Sequence, residues 1–192
     1  MHRFFLPPDQ CAGSHLWLGQ ADAHHAREVL RLGPGEPALV LDGAGNQYFC
    51  KVAECTHEQV RLAVERKETL PPPPCRVTLL QAVPKGKLLE SIIQKATELG
   101  AYRIVPVLSE RTNLRVDEHQ AGHKLEKWQR VAIEAVKQCG ACWLTRVDAP
   151  VTLPDFLARR EPFELALLAS LQPDSRHAGE YFQGFEYRNR VL

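Results

Sequence analysis

Residues 85–115 read KGKLLESIIQKATELGAYRIVPVLSERTNLR, and the order of polar and apolar positions in this stretch decides the fold. Leu88, Leu89, Ile92, Ile93, Ala96 and Leu99 recur at helical spacing. Gly100 follows where a left-handed C-terminal cap belongs. Residues 102–108 are a short, mostly β-branched or apolar run of strand length, and 76–83 ahead of the stretch read as a strand too. Strand, loop, helix and strand make the βαβ unit of a parallel sheet, normally closed by a right-handed crossover. Lys85, Lys87, Arg111 and Arg115 follow the C-terminal ends of the two strands, the edge at which open α/β sheets bind ligands.

Downstream, the alternation of strand and helix continues. A polar loop over 117–122 leads into a long helix over 124–138, with Trp128, Val131, Ala132 and Ala135 as its buried stripe. Val147 lies in a short strand, and Thr152 caps a helix over 153–160. The apolar run 163–169, broken only by Glu164, has the character of a central parallel strand. After a loop at 172–175 and a polar helical or irregular stretch, 190–192 begin one more strand.

Upstream, Pro71 to Pro74 form a stiff segment that cannot join a ladder. The expected division is therefore 1–70 as one domain, 71–75 as linker and 76–192 as a second domain. In the first part, Asp22 caps a short helix over 23–32 that Gly33 ends. Residues 38–41 and 47–53 flank Asp-Gly-Ala-Gly-Asn as a hairpin, and 60–64 alternate as another strand, the pattern of a small β-barrel.

The chain has 192 residues, 44% hydrophobic and 24% charged, with a formal net charge of +1, so a polyanion would need local clusters of Lys and Arg. No run reaches the roughly 18 apolar residues of a membrane span. MHRFFLPPDQ has no apolar core or cleavage site, so no signal peptide is expected. Six scattered cysteines in a chain able to build a core read as reduced cytosolic thiols, and the expected location is cytoplasmic.

Several groups offer chemistry. His24, Arg27 and Arg31 stand three and four apart, so a helix would place them on one face, either against phosphates or simply in water. Arg3, beside Phe4 and Phe5, adds to that surface or belongs to an edge strand. Lys85-Gly86-Lys87 joins a strand to a helix N-terminus, where glycine allows close approach and the helix favours anions. It is neither a Walker A loop nor a dinucleotide-binding glycine pattern. Arg111 can fork to a phosphate or form a local salt bridge. Cys139-Gly140-Ala141-Cys142 has redox spacing but sits at a helix end, where the dipole opposes a thiolate. No H-E-x-x-H or second C-x-x-C supports a metal, so none is expected.

MHRFFLP, HHAREVLRLGPGE and LDGAGNQYFCKV resemble the N-terminal PUA-like barrel of the RsmE family, 16S rRNA uridine-N3 methyltransferases of the SPOUT, or trefoil-knot, superfamily. QAVPKGKLLESIIQKATELGAYRIVPVLSERTNLR resembles the first block of its methyltransferase domain, and KWQRVAIEAVKQCG its next helix. The resemblance implies an N-terminal PUA-like barrel and a C-terminal SPOUT-type α/β domain with a parallel sheet. It implies methyl transfer from S-adenosyl-L-methionine to N3 of a uridine, a homodimer, and 16S rRNA or the small ribosomal subunit as partner. It shifts Arg27, Arg31, Lys85, Lys87 and Arg111 toward RNA contact, with Arg111 positioning the substrate and no residue assigned as base. Where the family usually has an arginine and a proline after the helix end, Ala141 and Thr145 stand. The family's cofactor knot uses a Gly-Pro-Glu-Gly loop and a later Leu-Gly…Ile-Leu-Arg…Glu-Thr-Ala segment, neither of which occurs here. The domain is therefore expected to lack its knot segment, leaving Ser170, Leu171 and Gln172 as the cofactor-side element. The alternative is a non-catalytic RNA-binding module.

Overall fold

A computed structural model describes residues 1–56, 59–110, 118–182 and 190–191, the side chains of 118–121 and 190–191 excepted. The chain divides into two compact units, Met1–Pro72 with Ala132–Leu144, and Pro73–Val131 with Thr145–Leu192.

The first unit holds β1 (His2–Phe5), β2 (His15–Leu18), β3 (Pro37–Leu41), β4 (Asn46–Cys55) and β5 (Val60–Thr69). They form one sheet in the order β1-β3-β4-β5-β2. β1 runs parallel to β3, and the other pairs are antiparallel. Register shifts between Phe49 and Cys50, and between Val52 and Glu54, bend the long β4–β5 ladder, as bulges do. Phe4, Leu16, Leu18, Val40, Val52, Val60 and Leu62 fill the inner face. A second cluster joins Leu39 and Leu41 to Val136, Cys142, Trp143 and Leu144. β3 is thus buried on both faces, which is why its sequence is a continuous apolar run rather than an alternation. Sequence alternation did not reveal β2.

The β3–β4 turn is held by buried Asp42. Its carboxylate accepts from the Ala44 and Asn46 amides at 2.8 and 3.0 Å and from the Asn46 side chain at 2.6 Å. Gly45 has φ +93°, and a Cβ there would lie 2.4 Å from the Trp143 ring. The indole is anchored by donating to the Pro71 carbonyl at 3.0 Å.

The short helix before β3 differs from expectation. An α-helix, α1 (Gln20–His24), starts at Gly19 rather than at Asp22 and widens into a π-helical turn over His25–Val29. Arg31, at φ +55°, takes the left-handed position that Gly33 was expected to fill. The wider turn carries the chain into the reversal sooner. Asp22 is used elsewhere, pairing with Lys137 at 3.4 Å.

The second unit contains the βαβ unit. β6 (Arg76–Ala82) leads to α2 (Leu88–Glu98) and β7 (Arg103–Leu108), and β6 and β7 pair in parallel. Gly100 at φ +82° donates to the Thr97 carbonyl, and Ala101 donates to Ala96, so the expected glycine cap is a Schellman turn. The long helix α3 (Glu118–Cys139) starts earlier than the apolar stripe indicated. β8 (Arg146–Val147) and β9 (Val151–Thr152) pair in parallel with β7, and β10 (Arg190–Val191) in parallel with β6. Thr152 caps α4 (Leu153–Ala158), its hydroxyl accepting from the Asp155 amide at 3.2 Å. A four-residue helix, α5 (Ala178–Tyr181), follows.

Residues 163–169 do not form the expected central strand. β6 has β10 on one side and β7 on the other, and the far side of β7 is taken by β8 and β9, so neither long strand offers a ladder to the run. Phe163 packs against Phe156 at 6.4 Å between rings, and Leu165, in a single-residue bridge, and Leu167 are half-buried. Leu168 is 92% exposed. A continuous apolar run specifies a buried strand only where a neighbour supplies the hydrogen bonds.

Arg103 at the start of β7 is buried with its charge satisfied. Its Nε donates to Asp148 at 2.8 Å and its Nη1 to Glu161 at 2.6 Å. The Glu161 hydrogen bond, with that of Asp148, outweighs burial and pushes the Arg103 pKa further up. Nearby, the Gln129 amide donates to the Thr145 carbonyl at 3.0 Å and accepts from the Val147 amide at 3.0 Å, fastening α3 to β8.

Candidate nucleic-acid interface

In the second unit, Lys85, Gly86 and Lys87 occupy the turn between the C-terminal end of β6 and the N-terminus of α2. Gly86 has φ +72°, a conformation that L side chains rarely adopt, which explains the glycine between two lysines. The turn borders a cavity of about 330 Å³ lined by Val83, Pro84, Leu89 and Glu90 below and by Lys124, Lys127 and Trp128 of α3 opposite. Lys127 pairs with Glu90 at 2.5 Å. Among the described residues, no carboxylate pairs with Lys85, Lys87 or Lys124. Among the described residues, four lysines and one glutamate therefore line a concave site at the ligand edge of a parallel sheet.

The structure brings together Lys85 and Lys87, which the sequence singled out, with Lys124 and Lys127, which it did not. The missed signal is the spacing of Lys124, Lys127 and Trp128 at i, i+3 and i+4, one face of a helix. Trp128, 6% exposed, anchors that face. Arg111 and Arg115 lie outside the described residues.

In the first unit, His24 and Arg31 are exposed, and Arg27 pairs with neighbouring Glu28 at 2.7 Å. The π-helical turn and the reversal at Arg31 break the regular spacing assumed for these three. Arg3 is engaged in the fold. Its Nη1 donates to the Gln138 carbonyl at 2.8 Å and to that of Lys137 at 3.3 Å, capping the end of α3. Lys137 reaches Asp22 and Glu134. Burial acts against its charged form, but the Glu134 hydrogen bond and the two carboxylates prevail and raise its pKa.

Cys142 is buried and its thiol is pushed up by burial, then by the Asp42 and Glu68 charges, the opposite of what a reactive thiolate needs. Cys139, at the helix end, is exposed, and the two remain unlinked. His119 and His123 stand four apart on α3, but no group of three His, Cys, Asp or Glu among the described residues could hold a metal ion. No helix among the described residues is long and apolar enough to cross a membrane.

Ser170, Leu171 and Gln172 do not form a cofactor pocket. All three are exposed, Leu171 completely; the Gln172 amide donates to Ser170 Oγ at 3.2 Å and its carbonyl accepts from the Ser175 amide at 3.0 Å. Nothing in this segment encloses an adenosyl group.

The chain thus joins a five-stranded sheet to a parallel α/β unit with lysines at its ligand edge, and this two-part arrangement has relatives of known class. Residues 71–188 match the RNA methyltransferase domain and residues 18–65 the RNA methyltransferase PUA domain. The chain belongs to this RNA methyltransferase family, in which its relatives carry the name ribosomal RNA small subunit methyltransferase E. It is 36% identical over 185 residues to the one from Synechocystis sp., covering 95% of this chain and 59% of the relative. It is 29% identical over 149 residues to that of Bacillus subtilis, covering 77% and 58%. The chain thus spans under two thirds of the length of these relatives. A crystal structure of the Neisseria gonorrhoeae enzyme of that name, bound to S-adenosyl methionine, superposes with a TM-score of 0.78 at 26% identity, covering all of this chain and 88% of that one.

Proposed function

We propose that the protein carrying this chain is an S-adenosyl-L-methionine-dependent methyltransferase of small-subunit ribosomal RNA, transferring the methyl group to N3 of a uridine in 16S rRNA. The observation that supports it is the ordered match of both domains, with an unneutralised lysine cluster at the ligand edge of the second. The likeness to the Neisseria structure supports the cofactor. The proposal includes a homodimer and a cytoplasmic location, where its substrate is made. A uridine N3 carries a proton with a pKa well above neutral, so its removal or electrostatic replacement has to accompany attack on the methyl carbon. None of the described residues is assigned to that proton.

N3 methylation blocks Watson–Crick pairing, so the test is reverse transcription. Small subunits lacking the modification are incubated with the protein and labelled cofactor, and the RNA is copied. A new stop at one uridine, with label in 16S rRNA, is expected. Label at another atom or in another RNA refutes the assignment of atom and substrate. Absence of transfer refutes the enzyme. The exposure of Ser170 to Gln172 favours a second reading for the 192-residue chain taken alone, RNA binding without cofactor binding. Calorimetry with S-adenosylmethionine decides it, because stoichiometric heat would overturn that reading.

A further inference from the structure

The cavity between the β6–α2 turn and α3 has more positive charge than the fold uses. Lys127 is held by Glu90, 27% exposed, while Lys85, Lys87 and Lys124 have no carboxylate partner among the described residues. Clustering like charges around a concavity raises the local potential and disfavours the empty state. A volume of about 330 Å³ suits a small polar group rather than a folded surface. The walls offer three lysines without a carboxylate partner as donors, with Val83, Pro84, Leu89 and Trp128 as the apolar remainder. Ammonium groups are compact point charges with three rotatable donors, able to pair with phosphate oxygens in several geometries. Among the described residues of the cavity, base-reading side chains such as Asn, Gln and Arg are absent.

We propose that this cavity seats a backbone phosphate of single-stranded RNA, with Lys124 completing the site begun by Lys85 and Lys87, and with the Glu90–Lys127 pair setting its strength. The proposal rests on the reading of the protein as an RNA methyltransferase and specifies where the substrate backbone is held. Lys124, Lys127 and Glu90 are the residues it adds. Single strands favour the site because a flexible backbone can turn a phosphate with its flanking atoms into the concavity, whereas a regular duplex holds its phosphates along fixed groove edges.

The test measures binding of the full chain to a short single-stranded oligoribonucleotide across a salt series. Lys85→Gln and Lys124→Gln are each expected to weaken binding about fivefold, the scale of one exposed ion pair. Each should also reduce the slope of log K against log salt by about 0.7, the value for one phosphate contact on a single strand. Glu90→Gln should do the reverse, tightening binding and steepening the slope, because it removes a negative charge and releases Lys127. A merely structural role for these residues would not produce that gain. Inorganic phosphate should compete no better than chloride at equal ionic strength. Stronger competition would mean a free-anion site and overturn the proposal, as would equal preference for a blunt duplex. Methyl transfer by the same variants separates the two readings. Normal RNA binding and salt slope in the lysine variants, with transfer intact in the parent protein, overturns the cavity proposal alone. Loss of salt-dependent binding in the variants, with no transfer by the parent, upholds the cavity and overturns the enzyme.

Discussion

Gly45 and Gly13 offer a matched pair for separating backbone strain from steric exclusion. Both have left-handed φ, +93° at Gly45 and +89° at Gly13. An alanine Cβ at Gly13 meets nothing within 4 Å, whereas at Gly45 it would lie 2.4 Å from Trp143 Cζ2 and 3.0 Å from the Leu70 carbonyl. Gly13→Ala should therefore lose about 1–2 kcal/mol from the left-handed conformation alone. Gly45→Ala carries the same term and, in addition, displaces an indole that is tethered to the Pro71 carbonyl at 3.0 Å. Overpacking of that kind adds about 1–3 kcal/mol. In a chain of this size each kcal/mol lowers Tm by about 2–4 °C. Thermal melts followed by calorimetry should thus place Gly45→Ala several degrees below Gly13→Ala. Hydrogen exchange at the Leu70 and Leu144 amides, which donate to Gly45 and Gly43 carbonyls, should accelerate in Gly45→Ala and not in Gly13→Ala. Equal melting temperatures and equal exchange in the two variants would refute the claim that Trp143 packs on the β3–β4 turn.

Other expectations follow from buried polar groups. Arg103→Met leaves Asp148, with 7% of its side chain exposed, without its main counter-ion, and should destabilise the second unit by about 3–5 kcal/mol in urea titrations. Gln129→Glu removes the donor to the Thr145 carbonyl and should cost about 1–3 kcal/mol by the same measurement. The Cys11 and Cys50 thiols are pushed by burial to about 11 and about 12, from an ordinary 9.0. The native chain then keeps protons that the unfolded chain has lost, so these two groups lower stability as pH rises above about 9, visible as a falling Tm. Under native conditions a thiol-specific reagent should modify exposed Cys139 well before Cys11, Cys50 or Cys142; simultaneous labelling of all four would contradict their burial.

The local code of the βαβ unit was complete in the sequence, because each part of it depends on neighbours within a few residues. Apolar spacing set α2, Gly100 set its end, and the β-branched run set β7. The four prolines and the change of texture around them were equally local signals. Lys85 and Lys87 could be placed at a sheet edge for the same reason, since a strand followed by a helix fixes which end the turn occupies.

What required the tertiary structure was every feature that depends on a distant partner. Residues 163–169 have the composition of a buried strand but no ladder beside β6 or β7, and hydrogen-bond partners are assigned by topology. Arg3, beside an aromatic pair, resembles a binding residue, yet carbonyls more than 130 positions away receive its hydrogen bonds. Lys124 and Lys127 are ordinary exposed-face lysines in one dimension. They become part of a basic cavity because α3 stands opposite the Lys85–Lys87 turn, and electrostatic potential depends on separation in space, which sequence distance does not encode.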